Sequence, residues 1–181
     1  MEANSLKELY VDELRDLYDA EQQITKALPK MVDAASSDEL QSALNEHLEI
    51  TKQQAQRLEQ IFENLGEKAK GKKCKGMEGL IKEGSEVIEE NEDDQVRDAA
   101  IISAAQKVEH YEMAGYGTVR TYASLLGEDD AADLLQQTLD EEKDADDRLT
   151  DLAENNINVE AMDESAEGEE AEEKTTAQGR R

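Results

Sequence analysis

Some of the carboxylates in this chain fall on faces that are otherwise apolar. At about 100° per residue along a helix, Glu21 lies within about 20° of the stripe made by Leu14, Leu28 and Val32. Glu112 lies within about 40° of the stripe through Val108, with Gly115 on the stripe's other side. Glu142 and Asp146 are each within about 20° of Leu135 and are flanked by Leu139 and Leu149. On the stripe of Leu44, Thr51 is about 20° off centre and His47 about 60°. Glu109 sits at a border, about 100° from Val108, while His110 and Glu49 point away from their stripes.

Counted from the two hairpin connections, Ser36-Ser37-Asp38 and Gly127, five of these residues share one level: Glu21, Thr51, Glu112, Glu142 and Asp146. His47 is about one turn away. Carboxylates buried together repel one another and lose their hydration, so they must be protonated or hold cations. Two divalent metals meet that need, and di-metal sites in helix bundles are built from inward Glu and His on facing helices. The competing reading is a set of glutamates that snorkel or pair with lysines. His47 reads either as a ligand of the metal, or a partner of one of its ligands, or as a satisfied core histidine, and His110 as a surface or interface residue.

The elements that must carry these residues are helices almost throughout. The spacing predicts helices over about Asn4–Ala35, Glu39–Leu65, Gln95–Leu126 and Asp129–Asn155, with a short one over Met77–Glu90. Pro29, the one proline, falls inside the first and should kink it. Ser36-Ser37-Asp38 can cap the second helix, and Gly66 can stop it. Two long hairpins joined by a crossover of about 30 residues make the ferritin-like variant of the four-helix bundle, with a fifth short helix in the crossover. An internal repeat agrees: offset by 91 residues, Glu21 meets Glu112, Leu28 meets Val119, Leu44 meets Leu135, Leu48 meets Leu139, and Arg57-Leu58 meets Arg148-Leu149. The bundle is expected over residues 1–157 and a disordered acidic tail over 158–181.

Composition excludes several classes. Lys and Arg number 20 against 46 Asp and Glu, a net charge of −26, which opposes both nucleic acid and an anionic membrane surface. The lysines between Glu67 and Gly76 have no aromatic neighbours and read as a solvated loop. No apolar run is long enough to span a bilayer, the first ten residues lack a signal-peptide core, and Cys74 is the one cysteine. A cytoplasmic location is therefore expected. The sequence contains no nucleotide loop and no CxxC, and no Ser-His-Asp set is apparent.

Several segments together resemble one family. They are Leu17-Tyr18-Asp19-Ala20-Glu21-Gln22, His47-Leu48-Glu49 with Thr51, Cys74 with Met77-Glu78-Gly79-Leu80, and above all Val108-Glu109-His110-Tyr111-Glu112 with Tyr116-Gly117. Over about residues 5–157 the chain resembles the YciE/YciF family, ferritin-like proteins of bacteria and haloarchaea linked to stress. The resemblance implies a ferritin-like bundle, a di-iron site and a homodimer, and Glu21, His47, Glu109, His110, Glu112 and Glu142 match family positions. The chain departs from the usual Glu-x-x-His pairs: Glu142 is followed three residues later by Ala145, Glu49 by Lys52, and Ile50 stands where a polar residue is expected. The second helix then supplies His47 or water.

The expected site is thus Glu21, His47, Glu109, Glu112, Glu142 and Asp146, holding iron, with manganese or zinc as alternatives. The expected function is a di-metal carboxylate protein that binds iron and consumes peroxide or oxygen under stress. The alternative is a metal-free dimeric scaffold, and mineral storage in a shell is a third reading. The charge balance points to a halophile, because at about 1 M salt the Debye length is about 3 Å and self-repulsion is largely screened. The fold is therefore expected to gain stability between about 0.1 M and 2 M KCl. A melting temperature that is flat or falls across that range would contradict the halophilic reading.

Overall fold

The computed structural model of the chain describes residues 5–70 and 72–162. The described residues form helices joined by short connections: α1 (Leu6–Ala34), α2 (Asp38–Leu65), α3 (Lys75–Glu90), α4 (Asp94–Leu126) and α5 (Asp129–Leu152). A π-helical turn, Ala153–Ile157, continues α5, and helix resumes to residue 162. Helix therefore runs past residue 157, where the tail was expected to begin; residues 163–181 lie outside the described residues. The first helix continues beyond Pro29 to Ala34. No described helix is long and apolar enough to cross a membrane.

Each start has a local cause. Ser5, Ser37 and Asp93 accept a hydrogen bond from the backbone N–H three residues on and so cap α1, α2 and α4. At α3 the cap is a thiol: Cys74 Sγ accepts from the Met77 N–H at 3.4 Å. The ends of α2 and α4 need a left-handed residue, and Gly66 (φ 67) and Gly127 (φ 77) supply it.

The arrangement is the ferritin-like bundle. α1 pairs with α2 and α4 with α5; the hairpins meet through α1 on α4 and α2 on α5, and α3 lies across α1 and α4. Asp98, 2% exposed near the start of α4, locks the first hairpin's turn. It accepts from the Ser36 N–H (2.8 Å), the Ser36 hydroxyl (2.7 Å) and the Ser37 N–H (2.8 Å). The lysine segment is less free than expected. Lys72 Nζ sits 2.9 Å from Asp12 and 3.8 Å from Asp16 on α1, and Lys73 pairs with Glu78. An acidic helix face thus holds the basic loop that leads into α3.

The apolar core is split in two. One cluster joins Leu14 and Leu17 to Leu58, Phe62, Tyr116 and Leu135. The other joins Ile24 and Leu28 to Leu44, Ile101, Ala105 and Leu149. On every long helix the break falls at the same level, and there the buried residues are polar: Glu21, His47, Thr51, Gln54, Glu109, Glu112 and Glu142.

Candidate metal centre

Four helices contribute to this layer: Glu21 from α1, His47 from α2, Glu109 and Glu112 from α4, and Glu142 from α5. One ligand atom each from His47, Glu109, Glu112 and Glu142 lie within 4.8 Å of one another. Glu21 adjoins them and accepts a short hydrogen bond from the Tyr116 hydroxyl. His47 Nε2 is 3.4 Å from Glu109 Oε1 and makes no hydrogen bond with it.

The electrostatics are those of an unmet demand for positive charge. Burial first, and neighbouring carboxylates second, push Glu21, Glu109 and Glu112 well above the usual carboxylate range. Burial also raises Glu142 to about 7. His47 moves the other way, to about 4, because burial disfavours its cation. It is therefore neutral at neutral pH, the form in which imidazole binds metal. None of these glutamates has a lysine or arginine ion-pair partner among the described residues; Arg57, the cation at this level, is bidentate to Glu141 at 2.6 Å on each arm. Pairing with lysine, the competing explanation of buried glutamates, is thus not what the structure shows.

Both nitrogens of His47, both oxygens of Glu142, Glu21 Oε2, Glu109 Oε2 and Glu112 Oε1 are buried without a hydrogen-bond partner. As bare carboxylates these groups can only accept, so their remaining lone pairs need protons or a cation. Protons shared between Glu21 and Glu112, and between Glu109 and Glu142, are one answer. A divalent cation with oxygen and imidazole ligands is the other, and the donor set fits one.

Of the six expected residues, the structure brings five together. Asp146 is not among them. It is only partly buried, accepts from Gln106 Nε2 at 3.2 Å, and lies 3.4 Å from His110 Nδ1. One turn beyond Glu142, it meets Gln106 and His110 of α4, and its charge still acts on Glu109. His110 is at the surface, with its side chain 63% exposed, as expected. Glu109, placed at a border by the stripe, is 3% exposed, because α4 packs against α1, α3 and α5 and so buries more than one face. Gln54 was missed. It is fully buried, donates to Glu141 at 3.2 Å, and lies on the same face as Thr51 and Leu58, which was the available signal.

Two cavities meet at His47 and Glu109. One, of about 160 Å³ between α2 and α5, is also lined by Glu141, Asp144 and Arg148. The other, of about 240 Å³, lies between α1, α3 and α4 and is mostly apolar.

The family model of a domain of unknown function, DUF892, matches residues 5–162. The chain belongs to that family. It is 49% identical to Protein YciF of Escherichia coli K12 over 162 residues, covering 89% of this chain and 98% of that protein. The crystal structure of the E. coli stress protein YciF superposes with a TM-score of 0.83 at 50% identity, covering 86% of this chain and 99% of that one. YcfI of Rhodopseudomonas palustris, provisionally described as a structural protein, gives 0.80 at 48% identity over 81% of this chain and 94% of its own.

The raised carboxylates give stability a direction with pH. Their folded-state values exceed the usual 4.5, so their contribution is complete below about 4.5 and is lost as pH rises through the folded values, about 7 for Glu142. Metal-free protein should therefore melt several degrees lower at about pH 8 than at about pH 6, at constant salt, at about 2–4 °C per kcal/mol. With Mn²⁺ in excess the trend should flatten or reverse, because metal replaces the protons. An unchanged melting temperature in the metal-free protein would contradict the assigned protonation.

Proposed function

We propose that the chain is a ferritin-like carboxylate metalloprotein of a stress response. What supports this is the set of unpartnered ligand atoms of His47, Glu109, Glu112 and Glu142, gathered within 4.8 Å in an otherwise apolar core. His47, Glu109, Glu112 and Glu142 would hold a first divalent ion, and Glu21 with Glu112 would share a second. Iron fits this oxygen-rich set with one imidazole; manganese and zinc are the alternatives. When bound, a ferrous pair supplies the two electrons that reduce peroxide, with two protons, to two waters.

The protein's part is to position and to move protons. Tyr116 holds Glu21 by donating to its Oε1. Glu142, with a value near 7, can release a proton when a cation arrives and take one back when it leaves. Asp144 lines the α2–α5 cavity and gives a cation an acidic approach, beside Glu141, whose charge Arg57 offsets, and Arg148, which pairs with Glu46.

The repeat explains why the two halves of the site are unequal. Glu21 and Glu112 are mates, but Glu142 has Thr51 as its mate and His47 has Thr138. The α4–α5 side therefore carries more charge, and the first ion should bind there more tightly than the second.

The shared-proton arrangement favours a second reading, a metal-free helical scaffold, and one paired experiment separates the two. Glu112→Ala and Glu142→Ala should weaken iron binding by at least about tenfold, the lower bound seen even for groups that only support a ligand. The same substitutions should leave the melting temperature of metal-free protein unchanged or raise it, since each removes a buried acid among its like. Glu49→Ala, whose side chain is 67% exposed, is the control. Unchanged iron stoichiometry in both core variants would favour the scaffold.

A further inference from the structure

The cavity between α1, α3 and α4 is unlike the acidic approach on the opposite side of His47. Its walls come from Ile24, Leu28, Leu80, Ile81, Ile88 and Val108. Small residues open it: Ala27 on α1, Gly84 on α3, and Ala104 and Ala105 on α4. α3 is the covering wall, and a Cβ at Gly84 would already stand 3.4 Å from the Ala104 methyl. The crossover helix thus does more than join two hairpins; it narrows a gap beside α4 into a cavity that remains open to solvent.

The two ends of that space differ. His47, 8% exposed, and Glu109, 3% exposed, line it, and both carry ligand atoms without a hydrogen-bond partner. Lys26 and Lys30, one turn apart on α1, line it at the surface. Both are exposed, and neither has a carboxylate partner among the described residues, although the chain carries 46 acidic residues against 20 basic ones. By contrast, Lys72, Lys73 and Lys107, on or beside the elements around α3, each reach one. An apolar lining with two cations at its outer end matches a molecule with a hydrocarbon chain and an anionic head. At about 30 Å³ per water-sized group, about 240 Å³ holds on the order of eight such groups.

We propose that this cavity binds a medium-chain carboxylate, its head on Lys26 and Lys30 and its chain directed toward His47 and Glu109. The proposal deepens the metal-centre reading and rests on it for the purpose of binding, which is to bring an aliphatic chain to the centre. The binding itself needs no metal and can be tested without it.

Decanoate and decanol would be titrated into the full-length chain, metal-free, by calorimetry, at the lowest KCl concentration that preserves its circular dichroism. Decanoate should bind saturably, one per chain. Lys26→Gln/Lys30→Gln should weaken decanoate about fivefold or more and leave decanol within about twofold, as expected for losing two partly solvated ion pairs. Ala27→Phe, which fills the cavity from the half-buried side of α1, should abolish both, with helicity checked in parallel. Absence of saturable decanoate binding, or binding indifferent to both variants, would overturn the proposal. Iron stoichiometry measured on the same preparations separates the two ideas. Decanoate binding without iron binding would remove the metal centre and leave the pocket; iron binding without decanoate binding would remove the pocket alone.

Discussion

Four glutamates and a histidine taken out of water at one level of a helix bundle set the terms for the rest of this fold. Each glutamate is at most 3% exposed, and none forms an ion pair with a lysine or arginine among the described residues, although the charge of Arg57 acts on Glu21 and Glu142. Burying an ionised carboxylate is expensive unless it is paired, and burying several together adds repulsion. The protein has two ways to meet this: hold protons, or hold cations. The raised values of Glu21, Glu109, Glu112 and Glu142, all driven first by burial, are the mark of that choice. So is the neutral His47, which offers a lone pair and adds no charge of its own.

Much of the surrounding structure serves to keep this layer in register. The apolar core is divided into two clusters that grip the layer from either side, so a slip of any helix would drive a glutamate into hydrocarbon. Asp98 fixes the turn of the first hairpin to the start of α4 and so sets the height of α1 and α2 against α4. Tyr116 reaches from α4 to Glu21 on α1. On the flank, Tyr111 donates to Asp16 at 2.8 Å and lies 3.0 Å from Cys74 Sγ, which ties the start of α3 to both α1 and α4. A Cβ at Gly76 would come within 2.6 Å of the Tyr111 ring, so the small residue there lets α3 lie close. The crossover is thus pinned where it must be to wall the apolar cavity.

The helices and their order were legible because each long element carries one apolar stripe and the connections are short or marked by glycine. Glu21, Glu112 and Glu142 were legible for the same reason: a charge in the middle of a stripe stands out. Asp146 shows where that reasoning ends. Angle around a helix is set by sequence spacing alone, but depth depends on which neighbour is present one turn along, and Asp146, partly buried, meets Gln106 and His110 while its charge acts on Glu109. Glu109 shows the converse. A helix packed on three sides has no single stripe, so a residue at a border can be as buried as one at the centre. Asp98 was not legible as an anchor, because its partners Ser36 and Ser37 are far away in sequence and polar side chains on helices are usually solvated.

Cation binding by this polar layer, as proposed, is read most directly by anomalous diffraction from crystals of the full-length protein soaked in ferrous iron under anaerobic conditions, with data collected on both sides of the iron absorption edge. A peak is expected among His47, Glu109, Glu112 and Glu142 that vanishes below the edge, with any second, weaker peak beside Glu21. A map with no peak in that layer, the glutamates instead lying in hydrogen-bonded pairs, would contradict it.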